Sequence, residues 1–359
     1  DITFNCKSSI LIIKRLLRLG VSRPLIVCDT FAIKHAFVEI INKKYPHSII
    51  FSDFGPNPTI EMLDKGVYAF KNNNCDSVVS IGGGSSIDIA KCIKVAINNE
   101  NHANILASNY LFLYTGIPHL CLPSTAGTGS ESTSFAVLYK EGIKYSIDNP
   151  SLMPESVLFY PSLVASVPLF QKKCTMLDAL CQGIESFWSK GATKSSKKHS
   201  LKAIGLVAHN YKKYLENDEL ALANMQKAAN ESGKAINIAR TTAAHALSYG
   251  LTSLYGIPHG LAVAIILPHV WALLPEKYKK HNLKPINRRL NGNDEFQDGL
   301  KGFIQIYDSL ELANLGNIVN AKNIEYLLSH VNIDRLSNFP IVNFDRDLIV
   351  NIYSNLSTK

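Results

Sequence analysis

The stretch Ser77-Val78-Val79-Ser80-Ile81-Gly82-Gly83-Gly84-Ser85-Ser86-Ile87-Asp88 decides the fold. A short β-rich apolar run passes directly into three glycines and two serines, and a helical pattern begins near Ile89. A continuous apolar run bounded by turn residues reads as a buried strand of a parallel sheet. Glycines let the backbone come close to an anion, and N–H groups at a helix start point toward it. An ordinary strand-to-helix turn needs one glycine; three with two serines indicate a pyrophosphate-binding turn formed by Gly82, Gly83, Gly84, Ser85 and Ser86, with Asp88 following. The pattern is neither Gly-x-Gly-x-x-Gly nor a Walker loop, since no Gly-Lys-Ser/Thr follows.

Outward from this turn, residues 24–28, 48–52 and 119–122 read as further buried strands, with helical patterns between them. Alternating strands and helices predict a mostly parallel sheet flanked by helices. Strand signals fade beyond about Leu169, and helical periodicity runs through 179–188, 199–214, 221–239 and 261–274. The expected organisation is therefore an α/β Rossmann-like domain over 1–165 and an all-helical domain over 166–359. Asp29 ends the 24–28 strand, where a carboxylate accepts from a ribose diol and repels a 2′-phosphate, favouring NAD(H) over NADP(H). A helix N-cap is the competing reading of Asp29. The run Pro123-Ser124-Thr125-Ala126-Gly127-Thr128-Gly129-Ser130-Glu131 follows the 119–122 strand and offers hydroxyls to a cofactor groove.

The chain has 359 residues, enough for two sizeable cores, and is 46% hydrophobic and 18% charged, which excludes a disordered chain. Its net charge of +8 is spread along the sequence, so no focused basic stripe argues for nucleic acid, while a modest positive field favours an anionic substrate. Seven scattered cysteines without a Cys-x-x-Cys pair predict reduced thiols and a cytoplasmic setting. The longest apolar run, broken by Pro268 and His269, is shorter than the ~20 residues a membrane span needs. No signal peptide is expected at the start of the chain.

The second half carries a candidate metal site. Asp178 and Gln182 stand four residues apart and share a helix face. His245 and His259 lie in later apolar segments. One carboxylate, two imidazoles and an amide oxygen suit Fe(II) first, with Zn(II) or Mn(II) as alternatives, better than Ca(II) or Cu(I). Each histidine alone would read as a core residue; the company of Asp178 raises both.

These motifs together resemble the iron-containing (group III) alcohol dehydrogenases: the Gly-Gly-Gly-Ser-Ser-Ile-Asp turn, the Pro-Ser-Thr-Ala-Gly-Thr-Gly-Ser-Glu run, the Asp178-to-Glu185 helix and the Pro258-His259-Gly260 motif. The resemblance spans nearly the whole chain. It implies the fold shared with dehydroquinate synthases, an NAD(P) site in the first domain and one divalent metal in the second. Asp178, His245 and His259 match its metal ligands. Asn57, the 82–86 turn, Ser124, Thr125, Thr133 and Lys144 match its cofactor contacts. Two positions depart: Gln182 stands where the family has a third ligand histidine, and Tyr249 where many members keep another His near the substrate.

The stretches around Asp178 and Thr241-Thr242-Ala243-Ala244-His245 resemble a narrower subgroup, the phosphonoacetaldehyde reductases, which implies reduction of that aldehyde to 2-hydroxyethylphosphonate. Arg240, Thr241, Thr242, Lys234 and Ser186 or Ser189 are the expected partners of the small anionic substrate. Hydride transfer from nicotinamide to the aldehyde carbon follows, with Tyr249 as the candidate for orienting substrate or donating a proton. A homodimer is implied by family habit. Rival readings are a broad small-aldehyde or diol dehydrogenase, a dehydroquinate synthase-like lyase, and a silent binding protein with a decayed metal site.

Overall fold

The computed structural model describes residues 1–98, 101–107, 115–292, 294, 297–312 and 319–356. The chain divides into two compact units, one of 1–125 with 129–167, the other of 126–128 with 168–359. Thr128, expected in the first domain, thus belongs to the second unit.

Unit one is built on a six-stranded sheet among the described residues, in the order β1-β8-β5-β4-β2-β3, with every pairing parallel. Its strands are β1 (Ile2–Thr3), β2 (Pro24–Cys28), β3 (Ile49–Phe51), β4 (Ser77–Gly82), β5 (His119–Pro123) and β8 (Ser156–Leu158). Successive residues of β2 point to opposite faces. Leu25 and Val27 join a core with Leu63, Val67 and Phe70 of α3 (Ile60–Asn72) and Ile89 and Ile93 of α4 (Gly84–Ala96). Ile26 and Cys28 join Ile12 and Leu16 of α1 (Ile10–Arg18), Ile41 of α2 (Ala36–Lys44) and Leu163 of α5 (Pro161–Ala165). Covering both faces is why these strands read as unbroken apolar runs. Each fully buried aliphatic contributes about 1.5–3 kcal/mol.

A separate antiparallel hairpin, β6 (Phe135–Lys140) and β7 (Ile143–Asp148), lies outside that sheet. Its two-residue turn is Glu141-Gly142, both with positive φ (53° and 77°), the backbone twist that suits a tight hairpin.

Unit two is helical. It contains α6 (Leu169–Trp188), α7 (Lys194–Leu215), α8 (Glu219–Ala239), α9 (Ala243–Tyr255) and α10 (His259–Ala272). Shorter helices follow: α11 (Glu276–Asn282), α12 (Lys284–Leu290), α13 (Gly299–Asp308), α14 (Ile324–Ser329), α15 (Ile333–Ser337) and α16 (Arg346–Asn355). From Cys174 to Trp188 every residue of α6 is buried, because α7, α8 and α10 all pack on it. A helix apolar all round is a core helix, so the polar residues inside α6 need a specific reason to be there. No single described helix is long and apolar enough to cross a membrane.

Candidate metal and cofactor sites

In unit one the glycine turn sits where β4 ends and α4 begins, with Gly83 as the N-cap. The first backbone N–H groups of α4, on Gly84, Ser85 and Ser86, have no partner within the helix, and the helix dipole adds positive potential there. Gly82 has φ +159°, and a Cβ on it would overlap the Ser86 side chain and come within 3.2 Å of Asp29 Oδ2. A side chain at Gly83 would press on Thr125, 3.2 Å away. The Ser124 N–H donates to the Gly82 carbonyl (2.9 Å), so the two polar runs meet at the ends of adjacent parallel strands. That end of a parallel sheet is where dinucleotides bind.

Asp29 Oδ1 accepts from the N–H groups of Phe31 (3.0 Å) and Ala32 (2.8 Å), which is the capping role, while Oδ2 faces Gly82. Asn57 is exposed in a left-handed conformation (φ 59°), Thr128 is half-buried, and Lys144 stands half-buried on β7.

Two expected cofactor contacts are corrected. Asp88 turns into unit one, where it accepts from the Ser130 hydroxyl and the Val137 N–H (3.0 Å). Thr133 is buried, and its hydroxyl lies 3.1 Å from Lys91 Nζ. Both belong to a framework around Lys91, a fully buried ammonium that donates to the carbonyls of Ser130, Thr133 (2.8 Å) and Phe135 (3.0 Å). A buried charge needs such a cage, and this one fastens the 130–135 segment to α4.

In unit two, Asp178, His245 and His259 bring one ligand atom each to within 4.8 Å of one another. Asp178 lies mid-α6, His245 in the first turn of α9, and His259 opens α10. The close crossing of α10 over α6 depends on Gly260: a Cβ there would overlap the Cys174 carbonyl and come within 2.8 Å of Asp178 Cβ. Asp178 Oδ1 and His245 Nε2 are 3.4 Å apart, both buried, and neither has a hydrogen-bond partner among the described residues. Two facing polar atoms orphaned in a dry interior are costly unless a third party satisfies both. A divalent cation fits these donors.

His245 is oriented by a residue the motif reading did not assign. Its Nδ1 is paired with Glu185 Oε2, and Glu185 Oε1 accepts from the Thr242 hydroxyl (2.6 Å) and the Ala244 N–H (2.9 Å). A carboxylate on the far nitrogen fixes the ring and presents Nε2 to a metal. The signal was in the sequence: Glu185 follows Asp178 by seven residues, two turns on the same face. Burial pushes His245 toward the neutral form, but Glu185 and Asp178 outweigh it and raise its pKa. Asp178 is pushed up by burial, yet His245, His259 and Gln182 bring it net below the usual carboxylate range.

Tyr249 stacks on His259 with ring centroids 5.8 Å apart, one turn beyond His245 on α9. Burial raises its phenol pKa while Arg335 opposes the rise. Arg335, on α15, escaped the sequence reading; its guanidinium donates to the Thr241 hydroxyl. Nothing local marks it, because its neighbours come from α9.

Several expected substrate contacts are corrected. The Ser186 hydroxyl is wholly buried against Ser200 (2.8 Å) and the Gly183 carbonyl (3.1 Å), where it joins α6 to α7. Ser189 donates to the Ala239 carbonyl (2.6 Å). Thr242 bridges Trp188 Nε1 (3.0 Å) and Glu185, and Thr241 is fully buried under Arg335. Lys234 lies 3.7 Å from Glu231, a buried carboxylate that also gathers Lys202 (2.8 Å) and His199 (2.6 Å). Arg240 ends α8 with φ 63° and ψ 168°, a conformation other residues than glycine adopt only under strain.

A parallel sheet with a glycine-built anion cradle and a helical unit with a buried carboxylate–imidazole donor set are the parts of a dehydrogenase that pairs a dinucleotide with a divalent metal. The iron-containing alcohol dehydrogenase model matches residues 2–161 and the C-terminal model of the Fe-containing alcohol dehydrogenase family matches 173–357. The chain belongs to the iron-containing alcohol dehydrogenase family and is an NAD(P)-dependent oxidoreductase acting between alcohols and aldehydes. It is similar to long-chain-alcohol dehydrogenase 1 of Geobacillus thermodenitrificans, at 28% identity over 82% of this chain and 76% of the relative. It is also similar to an NAD-dependent methanol dehydrogenase of Bacillus methanolicus, at 31% identity over 72% of this chain and 70% of the relative. Among solved structures, sulfoacetaldehyde reductase from Bifidobacterium kashiwanohense in complex with NAD+ aligns with a TM-score of 0.90 and 26% identity, covering 99% of this chain and 96% of that one. Family membership sets aside the dehydroquinate synthase-like lyase reading.

Proposed function

We propose that this dehydrogenase reduces a small aldehyde bearing an anionic head group, of the phosphonoacetaldehyde kind, to the primary alcohol at the expense of NADH. The observation that carries the reading is Arg335, a cation whose field reaches Tyr249, itself stacked on His259 of the donor cluster. A guanidinium so placed suits a phosphonate or sulfonate, which it can bind through two parallel hydrogen bonds. The similarity to a sulfoacetaldehyde reductase supports it, since that substrate is by name an aldehyde with an anionic sulfonate.

When bound, the metal supplies Lewis-acid polarisation of a carbonyl and the reduced nicotinamide supplies the hydride. Asp178, His245 and His259 would hold the metal, and Glu185 keeps the His245 ring turned toward it. The N–H groups at the start of α4 receive the cofactor pyrophosphate, with Asp29 Oδ2 on the same side. Tyr249 stays protonated, because burial raises its pKa, and so donates rather than accepts. The aldehyde gains a hydride at carbon and a proton at oxygen while NADH becomes NAD+, so the balance closes.

The test is NADH oxidation by metal-loaded protein with phosphonoacetaldehyde and with acetaldehyde. The proposal expects kcat/KM to favour the phosphonate by ~100-fold, equivalent to about 2.7 kcal/mol. Arg335→Met should remove ~10–100-fold of that preference and leave acetaldehyde turnover near wild type. Equal rates with both aldehydes would overturn the anionic substrate and favour the second reading, a broad small-alcohol dehydrogenase, which the similarity to a methanol dehydrogenase supports.

A further inference from the structure

We infer that Gln182 is not a metal ligand in this protein but the residue that holds Asp178 in place, leaving a centre with three protein ligands. The inference rests on the metal reading of the donor cluster.

Gln182 lies one turn after Asp178 on α6 and is only 4% exposed. Both ends of its amide are engaged. Oε1 accepts from Ser232 Oγ at 3.0 Å, and the side chain hydrogen-bonds the Asp178 carboxylate. An ionised carboxylate only accepts, so the amide must offer it N–H, and that choice turns Oε1 away toward Ser232. Ser232 is itself wholly buried on α8, its hydroxyl shared between Gln182 Oε1 and the Ala229 carbonyl (2.9 Å). Asp178 Oδ1 is left without a hydrogen bond and faces His245 Nε2.

For Gln182 to ligate through Oε1, the amide would have to turn over. That would direct its N–H groups at Ser232 and end the donation to Asp178. The arrangement therefore matches the outer support that metal-binding carboxylates commonly receive. Position 182 thus plays toward Asp178 the part that Glu185 plays toward His245. Three protein ligands leave the remaining coordination positions to water and substrate.

The test uses the full chain loaded with Co(II), whose visible absorption reports the donor set, together with a chelator competition that gives the Kd. Gln182→Ala should leave the Co(II) bands at their wild-type positions and raise the Kd ~10–100-fold, the usual cost of losing an outer-shell partner. Ser232→Ala, a milder change that keeps the amide, should raise the Kd in the same direction by less. Shifted bands in Gln182→Ala, or tighter binding in Ser232→Ala, would show that the amide oxygen ligates and overturn the inference. Unchanged bands with unchanged Kd would overturn the positioning role. Failure of the wild-type chain to take up Co(II) would overturn the metal reading and this inference together, whereas uptake with shifted bands overturns the inference alone.

Discussion

Two buried polar clusters, one in each unit, look alike in the sequence and differ in one physical respect. Around Lys91 the charge is enclosed: its ammonium has carbonyls and hydroxyls of Ser130, Thr133 and Phe135 on every side. Around Asp178 the cluster is incomplete: Oδ1 and His245 Nε2 face each other at 3.4 Å with no hydrogen on offer, and His259 stands beside them. A satisfied cluster is framework, whereas facing donors with unspent lone pairs mark the place for a cation. Burial does not separate the two, since both are nearly dry. Single orphaned atoms elsewhere, such as Tyr45 Oη and His119 Nδ1, have no second orphan opposite them and form no site.

The comparison is broken most sharply by removing one member of each cluster. Asp178→Ala should lower aldehyde reduction at least ~10³-fold, the loss of several kcal/mol of transition-state stabilisation, with circular dichroism unchanged. Lys91→Met should do the reverse: metal content stays at wild type, while unit one loses about 3–5 kcal/mol of stability in denaturant unfolding because the caged acceptors lose their donor. Glu185→Gln keeps the size and removes the charge behind His245, so metal affinity should fall ~10–100-fold in a chelator competition. Ser186→Ala is the smallest test: stability falls by about 1 kcal/mol and KM for the aldehyde does not change, because its hydroxyl serves the α6–α7 contact. A changed KM would return Ser186 to the substrate.

The glycine turn and the main strands were legible because each is contiguous, and strands covered on both faces carry unbroken apolar sequence. The strands β1 and β8, of two and three residues, are too short to show any period. The β6–β7 hairpin escaped because its turn opens with Glu141 at positive φ, where Asn, Asp or Gly would have signalled it. In the helical unit, Asp178, His245 and His259 were found as motifs, but their support was not. Ser232 and Arg335 come from α8 and α15, and no spacing rule links such residues to α6 or α9. Asp88, Thr133 and Ser186 were misassigned for one reason: a polar residue near a motif looks the same in sequence whether it faces a ligand or ties two elements together.

The central claim, that the incomplete cluster holds a metal, is tested most directly by elemental analysis of protein dialysed anaerobically against Fe(II) and then against metal-free buffer. The account predicts one iron per chain in the wild type and none above background in His245→Ala. No iron in the wild type, or equal iron in both, would contradict it.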